Sequence, residues 1–380
     1  MAERIRTLSS FKHITADAWD TLANPAGQAF NPFVTHAFLS SLEDSGSASP
    51  RAGWAASHLV LEDGDQTLGL VPCYLKSNSM GEYVFDHGWA DAYTRAGGNY
   101  YPKLQTSVPF TPATGPRLLA PAPQKLKLMK GLEAATQQLG ASSAHITFLP
   151  EPDWNNAPAN WLKRQDIQFH WHNHNFNTFT DFLATLSSSK RKNIRKEREA
   201  VAARGISFEQ LTGPELKEHH WDHFYAFYMD TGARKWGRPY LTREFFSLIN
   251  ERMAEHTLLI LAKREGKIIA GALNFVGSDT LFGRNWGSTE DHPFLHFETC
   301  YYQAIDFAIS RKLKVVEAGA QGEHKLSRGY LPVKTHSLHH FAHKGLSRAV
   351  ADYLEHERAS IDQDQLLLAA HSPFKNVEQD

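Results

Sequence analysis

The sequence predicts an α/β fold with mixed sheets, assembled from two halves of similar element order. Length is the first reason: 380 residues exceed what one ordinary core fills, and two units of roughly 150 to 200 residues are the default. The second is the alternation of short apolar runs, bounded by glycine turns, with stretches of helical periodicity. The third is a succession of hairpin, strand, helix and strand that occurs once in each half.

In the first half, His58-Leu-Val-Leu-Glu62, the turn Asp63-Gly64 and the run Leu68-Gly-Leu-Val-Pro-Cys-Tyr-Leu75 predict a hairpin, because Asp-Gly suits the left-handed backbone of a tight turn. Phe85-x-x-x-Trp89 reads as a strand-like stretch, Lys127 to Gly140 as a helix and Ala144 to Leu149 as a strand. In the second half, Trp221, Phe224, Tyr225 and Tyr228 lie at i, i+3, i+4 and i+7 and predict a helix. Another runs from Thr242, a plausible N-cap, to Ala254. The hairpin grammar returns as Leu258 to Ala262, the turn Glu265-Gly266 and Ile268 to Phe275, and Phe282-x-x-x-Trp286 echoes the earlier Phe/Trp pair. Phe294, Phe297, Tyr301, Ile305, Ala308 and Ile309 then recur at helical spacing before a short strand, Lys314 to Glu317.

Composition narrows the function classes. The chain is 42 % hydrophobic and 21 % charged, enough apolar surface to exclude global disorder. Forty basic residues against 41 acidic ones give a net charge of −1, so any contact with a polyanion is local rather than a whole-chain field. The two cysteines, Cys73 and Cys300, have no CxxC partner, which argues against a disulfide framework or a cysteine zinc site and fits a reducing, cytoplasmic setting. The N-terminus has no signal-like apolar region, and the longest apolar runs fall short of the roughly 20 residues a membrane helix needs. His170, His172 and His174 would share one face of a strand, yet no carboxylate or cysteine spacing supports a metal there, and His336-x-x-His339-His340 is no stronger. No GxGxxG, Walker or GxSxG element is present.

The boundary region, 173–214, carries six Lys or Arg among the nine residues from Lys190 to Arg198, after an amphipathic segment with Phe179, Phe182, Leu183 and Leu186. This basic helix is either a solvated face or an anion clamp for a phosphate-bearing donor. Residues 1–172 and 215–380 then form the two halves, the first an acceptor side with Asp86, His87, Trp89, Tyr100, Tyr101 and Lys103 as weak candidates, the second a catalytic side.

The segments Thr231 to Leu241, Gly283-Arg-Asn-Trp-Gly287, Leu295 to Gln303 and Glu317 to Pro332, with Gly81 to His87, Tyr100 to Gln105 and Pro109 to Pro112 in the first half, resemble a bacterial family of predicted N-acyltransferases filed as Fem-like or as peptidoglycan biosynthesis/recognition. The resemblance covers nearly the whole chain. It implies a tandem GNAT-like fold and transfer of an acyl group to an amine acceptor, from acyl-CoA in the first reading and from aminoacyl-tRNA to a peptidoglycan precursor or peptide in the second, with no tightly bound cofactor. A GNAT-like protein that binds its ligand without catalysis is the third reading.

Such transfer needs a base for the amine, donors for the developing oxyanion and an acid for the leaving group. Glu317, at the end of the last short strand, is the first candidate base, with Glu323 and His324 in a glycine-containing loop as rivals and Tyr330 as candidate acid. Glu317 can equally be an ion-pair partner of Arg328 or Lys325. Arg284-x-x-Gly287, with Trp286 and Ser288, stands where the superfamily's pyrophosphate loop is expected, although Thr289 departs from that pattern; Lys325 and Arg328 are further donor-binding candidates. Arg234, Lys235, Trp236 and Arg238 form a basic and aromatic loop suited to a carboxylate or phosphate, and His296, Glu298 and Tyr301 border the following helix as substrate-binding candidates.

Overall fold

The computed structural model describes residues 3–235, 239–319 and 322–375. The chain forms two compact units that do not follow a single cut in the sequence: one comprises Met1–Ile167 and Lys334–Gln363, the other Gln168–Val333 and Asp364–Asp380.

The first unit opens with β1 (Arg4–Leu8), α1 (Ala16–Ala23), α2 (His36–Asp44), β2 (Trp54–Ala56), β3 (His58–Asp63), β4 (Gln66–Val71) and β5 (Cys73–Lys76). Strands β1, β3 and β4 make a three-stranded antiparallel sheet. The run from Leu68 to Leu75, which reads as one strand, is broken at Pro72, a residue with no N–H to give to a ladder. Beyond the break β5 pairs with β2 and with β6 (Lys103–Thr106) in a second sheet. Between β5 and β6 lies α3 (His87–Arg95). Phe85-x-x-x-Trp89 is therefore not a strand: Trp89 sits in α3 and is buried with Tyr100, Phe341 and Leu346. After β6 come α4 (Ala122–Gln138), opened by proline at its first turn, then β7 (Ser143–Thr147), α5 (Glu151–Asn155) and β8 (Leu162–His172). Strand β7 is parallel to β6, and Leu128 and Leu132 of α4 pack in one apolar cluster with Leu59, Leu104 and Ile146.

The second unit contains α6 (Phe179–Thr185), α7 (Ser188–Ala202), β9 (Ile206–Thr212), α8 (Glu218–Lys235), α9 (Arg243–Met253), β10 (Thr257–Arg264), β11 (Lys267–Val276) and β12 (Thr280–Ser288). Helices α8 and α9 and the β10–β11 hairpin stand where the periodicities place them. The hairpin turn is Glu265-Gly266, both with positive φ, 50° and 75°, as a twisted two-residue turn requires. Strands β9, β10, β11 and β12 form an antiparallel ladder. A helical stretch follows in three parts: α10 (Leu295–Phe297), a π-helical turn (Glu298–Tyr302) and α11 (Gln303–Ser310). Strand β13 (Val315–Glu317) then lies parallel to β12.

Each unit thus has a strand, a helix and a further strand parallel to the first, β6-α4-β7 and β12-α11-β13. The strand beyond is exchanged. The end of β8, from Gln168 on, belongs to the second unit, and His170 to His172 pair antiparallel with β13 there. The last strand, β14 (Leu331–Phe341), pairs antiparallel with β7 of the first, and α12 (Lys344–Ala370) follows it. This is a mixed α/β, tandem GNAT-like fold. Among the described residues no helix is long and apolar enough to cross a membrane.

Candidate functional site

In the second unit, β12 and β13 stay together for three residue pairs, Thr280 with Val315, Leu281 with Val316 and Phe282 with Glu317. Strand β12 then continues along β11 while the chain after Glu317 turns away, so the two strands part. At the same place the β11–β12 register breaks: Leu273 faces Asn285 but Asn274 faces Gly283, which makes Arg284 the extra residue of a bulge. Bulges re-aim side chains and interrupt the ladder. The gap holds a cavity of about 90 Å³ lined by Ala272, Leu273, Asn274, Gly283, Arg284, Asn285, Trp286, His296, Cys300, Tyr301 and Ala318. Gly283 leaves room here, since a Cβ would lie 3.3 Å from the Glu317 carbonyl oxygen.

The helical stretch after β12 forms the second wall. Its π-helical turn inserts one residue into the helical register. Cys300 and Tyr301 consequently face the cavity, while the adjacent Tyr302 turns to α7 and donates to the Glu197 carboxylate. His296 lies between Trp286 and Tyr301, with ring centroids 5.1 and 5.3 Å away. Glu298 does not face the cavity. It is buried against α7, accepting from Arg198 at 3.0 and 3.1 Å and from Gln303 at 2.8 Å.

Of the candidate acid–base groups, Glu317 is 8 % exposed and one residue from the cavity-lining Ala318. Its Oε1 is 4.0 Å from His170 Nε2. Burial holds that imidazole down at about 3, so it is neutral and the contact is not an ion pair at ordinary pH. Arg328 donates to Glu197 at 2.7 Å and to the His324 carbonyl at 2.8 Å, and Lys325 donates to the Gly319 carbonyl at 3.0 Å. Burial lowers the Lys325 ammonium to about 8. His324 is exposed, and its Nε2 lies 2.9 Å from the Tyr301 hydroxyl, which burial pushes above the usual phenol range. Glu323 begins the 3-10 turn that ends at Arg328; its side chain is outside the described part. Tyr330 is fully buried, its ring 5.5 Å from that of Tyr301 and its hydroxyl without a hydrogen-bond partner among the described residues.

Arg284, Trp286, Gly287 and Ser288 lie on β12 itself and not in a loop before a helix. Gly287 is small because α8 crosses it: a Cβ would meet the Phe227 carbonyl oxygen at 2.3 Å. The connection that does lead to the helix, Thr289 to Phe294, carries Glu290 bonded to His292 at 2.6 Å and to Arg264 at 3.4 Å. Arg234 and Lys235 end α8; Trp236 and Arg238 lie outside the described residues. In the first unit, Asp86, Tyr100 and Lys103 are joined in a buried network in which Lys103 also donates to Glu82 at 2.7 Å. Among the described residues no group of three or more potential ligands is placed to hold a metal ion.

The cavity is also lined by residues outside the candidate set, among them Asn274, Asn285 and Cys300. Asn274 has a legible signal, a buried amide inside an otherwise apolar strand run. Cys300 has none, because a π-helical turn cannot be told from α by spacing.

The basic run forms α7 as expected, and two of its residues explain its orientation. Glu197 and Arg198 face inward, to Tyr302 and Arg328 and to Glu298 and Asp306 respectively. Lys192, Arg195 and Lys196 are exposed.

In structure the chain is similar to FemX, at 10 % identity and a TM-score of 0.55, covering 92 % of this chain and 100 % of that one. It is also similar to a conserved protein of unknown function from Bacteroides thetaiotaomicron, at 12 % identity and a TM-score of 0.51 over 88 % of this chain and 99 % of that one. L-PGS from Bacillus licheniformis matches at 10 % identity and a TM-score of 0.50, over 87 % and 99 %. No curated protein matches the chain in sequence. At these identities the structures speak for the fold, and the family rests on the sequence: residues 10–376 match the FemAB-like family of peptidoglycan biosynthesis/recognition proteins, and the chain belongs to it.

Proposed function

We propose that the chain is a transferase that moves the aminoacyl group of an RNA-borne ester to an amine, with the reacting carbonyl held where β12 and β13 part. The observation that carries this reading is that gap, a small cavity walled by Arg284, Trp286, His296 and Tyr301. The bulge at Arg284 interrupts the β ladder beside the cavity and re-aims the side chain there. The same helical stretch that lines the cavity is clamped to α7, whose outer face presents Lys192, Arg195 and Lys196, a local positive field suited to phosphates.

A coenzyme A pyrophosphate finds less support. Its usual seat is the start of the helix after the central strand, where backbone N–H groups and the helix dipole favour anions. Here that approach carries Glu290 and Asp291, which repel one.

The test is direct binding and turnover with an alanyl-charged RNA minihelix, glycinamide as acceptor, and acetyl-CoA in parallel. The expected result is amide formation from the minihelix, with RNA affinity falling steeply as salt rises. A thermal shift and thiol release with acetyl-CoA, together with a flat RNA salt response, would move the donor to a thioester. Binding of either donor without product would leave a non-catalytic binding protein.

A further inference from the structure

We propose that Tyr301 and His324 form a proton relay from the slot to solvent, held in place by Glu197 of α7 through Arg328. The relay rests on the transfer reaction proposed above and adds to it the route by which the amine loses its proton.

The chain of contacts is continuous. Tyr301 lines the cavity, and its hydroxyl lies 2.9 Å from His324 Nε2. His324 is exposed. Arg328 donates to the His324 carbonyl at 2.8 Å and to Glu197 at 2.7 Å, with its guanidinium 3.4 Å over the Phe297 ring. Gly322 completes the seat: a Cβ there would come within 2.6 Å of the His324 ring. Among the described side chains, the other titratable or charged groups facing the pair are His296 and Cys300 on the helical wall and Lys325, Arg328 and Tyr330 after β13.

Burial keeps Tyr301 protonated at neutral pH, so it serves as a conduit and not as a base. As the amine nitrogen bonds to the carbonyl carbon, its proton passes to the Tyr301 oxygen and the original phenol proton passes to His324 Nε2. The imidazolium then discharges to water. The carbon–oxygen bond to the donor breaks, and the departing oxygen takes the electron pair and a proton from solvent. Tyr301 is the catalytic residue in this step; Glu197 and Arg328 are positioning residues.

Transfer from the alanyl minihelix to glycinamide, followed as kcat and KM against pH, tests the relay. Wild type should show kcat governed by one ionisation. Tyr301→Phe and His324→Gln should each lower kcat about 100-fold, within the usual range for a lost proton transfer, leave KM within about threefold and abolish that ionisation. Glu197→Gln should lower kcat about tenfold, with Glu197→Asp restoring most of it. In ¹⁵N spectra the His324 Nε2 resonance should move in Tyr301→Phe whether or not substrate is present. An unmoved resonance, or Tyr301→Phe with wild-type kcat and pH profile, overturns the relay and leaves the transfer reading standing. Absence of transfer by wild type from both minihelix and acetyl-CoA overturns the transfer reading, and the relay with it.

Discussion

Gly287 has no space for a side chain, because a Cβ would be set against the backbone carbonyl of Phe227 and not against a flexible tip. Gly287→Ala should lower the unfolding free energy by about 3 kcal/mol, the upper end of overpacking costs, read as a lower urea midpoint at unchanged m-value. Gly283→Ala, whose Cβ has a 3.3 Å clearance, should cost roughly 1 kcal/mol on the same scale. Charge buried in the first unit gives a pH prediction. Lys76 lies 3.6 Å from the Trp54 ring centroid, and burial lowers its ammonium to about 7. The folded pKa is below the unfolded one, so the unfolded chain binds more protons between about pH 7 and 10.5, and stability rises with pH across that window. That rise should shrink in Lys76→Met, measured by denaturant unfolding at a series of pH values; Lys325, held near 8, keeps the remainder. Residue chemistry was partly legible. His296 and Tyr301, candidates by type and position, line the cavity, and Glu317 is one residue from it. Glu298 was drawn away from the cavity by Arg198, a partner 100 positions distant, and no local pattern announces such a pair.

At the scale of elements, α7 separates its charges by face. Replacing Lys192, Arg195 and Lys196 together by Glu should leave the Tm within a few degrees, since all three are exposed, while weakening binding of the RNA minihelix. The magnitude of the salt slope should fall by roughly 2 to 3, one increment for each lost phosphate contact. Periodicity found α7, α8, α9 and the β10–β11 hairpin because each has one apolar face and clear end signals. It failed where tertiary packing chose between periods. Trp89, one turn of helix from Tyr93 in α3, packs on Phe341, and that distant contact, not the echo of Phe282 and Trp286, decides for helix. Arg284 to Gly287 reads as a loop because the resemblance sets a pyrophosphate loop there, with Gly283 just before it. Both are strand glycines, one opening onto the cavity and one lying under α8.

For the whole molecule, the exchanged strands matter most. Strand β7 takes its outer neighbour from residues 337–341 and β13 takes its from residues 170–172; Leu338 of β14 belongs to the same apolar cluster as Leu104 and Ile146. A fragment ending at residue 172 should therefore fail to give a dispersed amide spectrum by itself, and adding the β14–α12 peptide, residues 331–363, should improve it. A well-dispersed spectrum from the isolated fragment would contradict this. The tandem order of elements was legible in the sequence, but the exchange was not, because the strand each sheet edge takes is chosen by pairing with residues far along the chain. The exchange also reverses the order of completion on the ribosome. The unit that is translated first must wait for β14 before its sheet is closed, whereas the strands of the second are all available once β13 has emerged. During synthesis the nascent chain therefore carries an unfinished sheet edge for most of its length, the kind of exposed surface that holdase chaperones bind.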